Sequence, residues 1–166
     1  MEKIDNLIIR GLYEKLERLV LILIAIPIPF FAVVYLDAQN KMLFTDVPNI
    51  SSSWENIGLT TILVLLGLHY LNFQKDIRSI KMSNQELVMK VQRYSKATAK
   101  RFWVLMIAAL VCAAGLLLFQ NPVFTLLFAI TLVFYSLGKP TPDRMVRLMK
   151  LKGEEKEAVL DLKRRV

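Results

Sequence analysis

Residues 102–137 contain no Asp, Glu, Lys or Arg. One helix needs about 20 apolar residues to cross a hydrocarbon core, so this run is long enough for two. It is interrupted once, at Gln120-Asn121-Pro122. Asn121 suits the cap of a new helix and Pro122 its first position, where a missing N–H costs nothing. A tight hairpin is therefore expected, with span three at about 102–119 and span four at about 122–137. Gly138 and Pro140 end it. A second charge-free stretch, 56–74, holds His69 as its one group that titrates near neutrality. It predicts span two over 56–73. The apolar segment 19–36 predicts span one. The first eighteen residues mix acids and bases and no small-x-small site follows, so this segment reads as a retained helix and not as a cleaved leader.

A soluble interior does not accommodate this sequence. Hydrophobic residues make up 55% of only 166 residues, and mean hydropathy is +0.44. A water-soluble domain of this size has too little core for them. The expected fold class is all-α: a polytopic membrane protein with four transmembrane helices in two hairpins, a helical extension of the third span and a helical tail. The sequence has the general look of a bacterial inner-membrane protein.

Charge predicts the orientation. Of the 22 Lys and Arg residues, 21 fall in 1–18, 74–101 and 138–166, and one falls in 37–55. Those three segments share one side only if both halves of 102–137 cross. The basic side belongs in the cytoplasm. That predicts a multi-pass protein of the cell membrane with both termini cytoplasmic. The basic side nets +10 and the opposite loop −2.

Five regions follow. Residues 1–18 carry Leu7, Ile8, Leu12 and Leu16 at helical spacing and predict an amphipathic helix lying in the interface. Residues 19–73 form the first hairpin, with an external loop at 37–55. That loop contains an Asn49-Ile50-Ser51 sequon, and Trp54 and Tyr35 suit an interfacial aromatic belt. Residues 74–101 form a basic connector. Within it Ser83 and Glu86 have capping-box spacing, and Leu87, Val91, Tyr94 and Thr98 recur on one face. One helix is expected from about 84 to 119, its first half projecting beyond the membrane. Residues 102–137 form the second hairpin. Residues 138–166 form a helical tail, with Thr141 as N-cap and Pro142 behind it. A second short helix there follows Gly153. Glu154, Glu155 and Glu157 open it and Lys163, Arg164 and Arg165 close it, as its dipole favours.

The polar residues within the spans are few. Pro27 and Pro29 remove the N–H groups that would serve the carbonyls of Leu23 and Ala25, which predicts a packed kink or a polar notch. His69, with Thr60 and Thr61, is the possible polar site. Ala108, Cys112 and Gly115 form a small-residue stripe that lets another helix approach closely. Cys112 is the only cysteine, so no internal disulfide or thiol pair exists. Lys90, Arg93, Lys96, Lys100 and Arg101 are expected to meet anionic lipid headgroups.

No span contains Asp, Glu, Lys or Arg, no metal-ligand spacing occurs, and no phosphate loop or nucleophile elbow is present. No cofactor is expected. Nucleic acid is disfavoured, because the basic residues flank apolar runs and are not interleaved with aromatics. The expected partners are the anionic bilayer and another membrane protein or a second copy of the chain. The leading expectation is a non-enzymatic accessory or assembly subunit of a membrane complex. The alternatives are a homo-oligomeric channel for a small solute, lined by Pro27, Pro29, Thr60, Thr61 and His69, and an interfacial enzyme using His69 with Asp76 or Asp143.

Overall fold

The computed structural model describes residues 2–40, 51–83 and 85–163. The sequon at Asn49 and the terminal Arg164 and Arg165 lie outside them, as does the expected helix start at 84. Among the described residues there is no strand. Seven helices run in chain order: α1 (Glu2–Ala25), α2 (Pro27–Asn40), α3 (Ser52–Lys81), α4 (Leu87–Phe119), α5 (Val123–Gly138), α6 (Pro142–Met149) and α7 (Gly153–Leu160). A 3-10 turn at Asp161–Lys163 follows.

Three stretches are long and apolar enough to cross a membrane: Asp5–Asn40, Ser53–Lys81 and Leu87–Phe119. A fourth qualifies only if α5 and α6, bent by 82°, are counted together. The chain is thus an all-helical protein with three to four candidate membrane-spanning helices.

α4 is the centre, touching α1, α2, α3 and α5. Its small side chains make this possible. Ala108, Ala109, Cys112 and Ala113 are fully buried, and Gly115 lies directly beneath the ring of Phe124 on α5. The stripe expected to receive a helix does receive one, from within the same chain.

The amphipathic segment 1–18, expected as a separate helix on the membrane surface, is the start of α1 and runs unbroken towards Ala25. Ile9, Leu16, Val20 and Leu23 are buried in the common core. Of the expected apolar edge, Leu16 is buried and Leu12 half-buried where α1 packs on α4, whereas Leu7 and Ile8 stay exposed. The helix also continues past the expected end of span one, so Asp37 is a buried residue of α2 and not a loop residue.

The proline pair interrupts the helix at Ile26 alone. Pro27 is buried and Pro29 exposed. The Leu23 carbonyl, which Pro27 leaves without its helical partner, accepts a hydrogen bond from the Tyr135 hydroxyl of α5 at 3.3 Å. The kink is therefore packed. One turn further on, Phe31 stacks on Phe128 with ring centroids 3.7 Å apart.

These contacts set a register. Along α5, Asn121 donates to Glu55 of α3, Phe124 faces Gly58, and Phe134 meets His69 edge-on at 4.9 Å. Gly138 lies 3.5 Å from the Arg101 guanidinium, counted from the position a Cβ would occupy. That guanidinium lies over the Phe73 ring. The short α5 thus runs beside α3 through the whole charge-free segment of that helix.

The start of α4 differs from expectation. It begins at Leu87, with Glu86 at the N-cap and no side-chain capping bond. The reason is that α3 continues to Lys81, well past span two. Ser83 then belongs to the end of α3, its N–H bonded to the Ile80 carbonyl. At the hairpin, the Asn121 side chain accepts from the Val123 N–H at 2.8 Å, as expected of a cap. Thr141 likewise accepts from the Arg144 N–H.

The tail folds back on the bundle. Met145, Met149, Leu151 and Val159 are buried. The Lys90 ammonium of α4 donates to both carboxylate oxygens of Glu155 on α7, at 2.9 and 3.2 Å. Lys163 pairs with Asp143 at 2.6 Å.

Candidate functional site: a basic groove between α3 and α4

The polar residues expected to act together do not converge in mid-span. Thr60 and Thr61 are exposed, and each hydroxyl donates to a carbonyl of its own helix, that of Asn56 or Ile57. Pro27 is buried, and the Leu23 carbonyl it leaves free accepts from Tyr135 of α5. His69 points inward and is 2% exposed. Its ring lies near the carbonyls of Leu65 and Leu66 without reaching hydrogen-bond geometry with either. Thr60 and Thr61 line one surface hollow and His69 a different recess.

The polar residues converge instead at the basic end. A narrow recess there is lined by His69, Asn72, Asp76, Lys100 and Arg101, with the Phe73 ring as one wall. It adjoins a larger groove between α3 and α4, about 220 Å³, lined by Asp76, Ile80, Arg93, Lys96, Ala97 and Lys100. The two share Asp76, Ala97 and Lys100.

Helical spacing explains who is where. Val91, Tyr94, Thr98 and Arg101 follow at intervals of three or four on the buried face of α4. Lys96 and Lys100 stand on the exposed face, and Arg93 lies between. Arg93 reaches across to α3, donating to the Ser79 hydroxyl at 3.0 Å, and also donates to the Gln85 side-chain oxygen at 3.2 Å.

Arg101 is the exceptional member. The sequence places it with four other cations expected at lipid headgroups, yet only 6% of it is exposed. Its guanidinium lies 4.8 Å from the Phe73 ring centroid, an arrangement that supplies part of the lost hydration. Its Nε has no hydrogen-bond partner, and no described carboxylate lies within ion-pair distance. Arg144 of α6 is near enough to repel it. Burying an unpaired cation costs several kcal/mol, a cost that a bound anion would offset. The neighbouring hydroxyls of Tyr94 and Thr98 are also buried without partners.

Of the five cations expected at headgroups, Arg93, Lys96 and Lys100 line the groove, and Lys100 and Arg101 line the adjoining recess. Lys90 is diverted to Glu155. Asp76 shares the recess with His69, whereas Asp143 is held by Lys163 elsewhere. Arg144 is not among the expected residues, and Tyr94 is expected only as a member of the repeating face of α4. The stripe Leu87, Val91, Tyr94, Thr98 carried the signal, because extending it by three residues places Arg101 on the buried face. Among the described residues no cluster of His, Cys, Asp and Glu is arranged to hold a metal ion.

Comparison with known protein families, curated proteins and solved structures finds no match for this chain.

Proposed function

We propose that the protein is a non-enzymatic integral membrane protein, an accessory or assembly subunit of a membrane complex, with a docking platform at its cytoplasmic end. The observation that carries this reading is the folded tail. α6 and α7 enclose apolar side chains of their own and are pinned to α4 through Lys90 and Glu155. A tail serving only as a topology signal needs charge but no packed core.

Four crossings with both termini cytoplasmic are the topology this reading uses. The register of α5 along α3 supports it, since α5 traverses the same depth as residues 56–73. Exposed aromatics support it too. Trp54 stands just before the charge-free segment of α3 and Tyr70 near its far end, with Trp103 at the start of the charge-free part of α4; all three are exposed. Trp54 and Tyr70 are separated by roughly 24 Å of helix rise, which suits two interfacial belts.

Native mass measurement of the protein extracted gently from its own membrane tests the proposal. A mass containing a second polypeptide is expected and names the partner. A bare monomer removes the reading. A pure homo-oligomer transfers it to a channel for a small solute, whose path would lie between copies, and flux in liposomes then decides.

One observation favours an interfacial enzyme as second reading: His69, Asp76 and Arg101 line one recess. Full complementation of a deletion strain by His69→Ala would eliminate it.

A further inference from the structure

We propose that the groove between α3 and α4, together with the adjoining recess that Arg101 lines, is a specific site for a phosphate ester, and that the occupant is a phospholipid headgroup. This goes beyond the diffuse attraction of a basic surface to a bilayer, and it is independent of whether the protein has a polypeptide partner.

Three observations support it. The first is the buried guanidinium of Arg101, which has no carboxylate partner among the described residues and lines the recess beside the groove, the two sharing Asp76, Ala97 and Lys100 as walls. An anion there removes the cost of an unpaired cation, and Arg offers the donor fork that phosphate oxygens accept. The second is composition. Arg93, Lys96 and Lys100 line the groove, and Asp76 is the one acid among its lining residues. The site keeps a positive balance, and Asp76 supplies an acceptor for a hydroxyl or ammonium on the headgroup. The recess itself is too small for a whole phosphate, so a phosphoryl oxygen enters it and the remainder lies in the groove of about 220 Å³.

The third observation is depth. Arg101 packs on Phe73, just beyond the exposed Tyr70 and Trp103. Aromatic belts lie at headgroup level, so the guanidinium sits where lipid phosphates are and a soluble ester would have to compete with them.

The test uses full-length protein in detergent, delipidated and then titrated separately with phosphatidylglycerol, phosphatidylcholine and glycerol 1-phosphate. Bound lipid is counted by native mass and followed by thermal shift. One phosphatidylglycerol per chain is expected, held more tightly than phosphatidylcholine, which offers Asp76 no donor. Arg101→Gln and, separately, Lys96→Gln with Lys100→Gln should each weaken retention by roughly tenfold or more, the loss of one charge-assisted hydrogen bond. The exposed lysine pair can be changed without disturbing the core, so failure of Arg101→Gln to fold leaves the test intact. Lys156→Gln, on α7 outside the groove, should retain lipid normally. Saturation by glycerol 1-phosphate at concentrations that displace phosphatidylglycerol would uphold the phosphate site but identify a soluble occupant. Equal retention by the groove variants and Lys156→Gln, or no retained lipid and no thermal response, would overturn the proposal.

Discussion

Tyr135→Phe removes one oxygen and leaves the ring in place, with its contact to Phe102 at 5.7 Å preserved. What is lost is the bond to the Leu23 carbonyl, which Pro27 has deprived of its helical partner. A net hydrogen bond is worth about 0.5–1.5 kcal/mol in proteins, and polar contacts between membrane helices average about 0.6. The 3.3 Å separation is longer than the usual O–H···O distance and argues for the lower part of that range. The orphaned carbonyl adds a penalty, because no water reaches it in hydrocarbon. A destabilisation of about 1 kcal/mol is expected. The decisive comparison is made in a Pro27→Ala background. Alanine restores an N–H four residues beyond Leu23, so the carbonyl no longer depends on Tyr135. There the same substitution should cost less than about 0.3 kcal/mol, within the range of ordinary additivity. Equilibrium unfolding in mixed micelles, followed by far-UV ellipticity, measures both arms of the cycle. An equal cost in the two backgrounds would refute the idea that this hydroxyl compensates for the proline.

Three further outcomes follow from the same structure. Gly115→Ala should destabilise by about 1–3 kcal/mol, because a methyl would overlap the fully enclosed Phe124 ring; Gly11→Ala, where nothing lies within 4 Å, should instead stabilise by about 0.5–1 kcal/mol, and unfolding midpoints separate the two. Lys90→Met should loosen the tail by up to about 1 kcal/mol, since the pair with Glu155 is only partly shielded, and trypsin should then cut the 138–163 region faster than in wild type while sparing α4. In a Cys112→Ala background, Ser53→Cys should react with an impermeant maleimide on intact cells and Lys156→Cys only after permeabilisation; labelling of both from one side would refute an odd number of crossings between them.

The long helices were legible in the sequence because their cause is local. Runs without charge cannot leave a bilayer, and the breakers at Pro122, Gly138 and Pro140 act where they stand. Thr141 and Asn121 cap for the same reason. The capping box at Ser83 failed because its spacing says nothing about how far the preceding helix continues, and α3 reached past it.

What the sequence alone determined is therefore which segments are helical and apolar, and on which segments the positive charge lies. Which faces meet was decided only in three dimensions. The small-residue stripe suits a second protein equally well in the sequence, but Phe124 fills it because the turn at Gln120–Pro122 brings α5 back along α4. Arg101 reads in the sequence like its neighbouring cations, yet its place on the buried face of α4, between Phe73 and Gly138, makes it the one buried Lys or Arg among the described residues. Burial depends on what packs opposite a residue, and that information lies in distant segments of the chain.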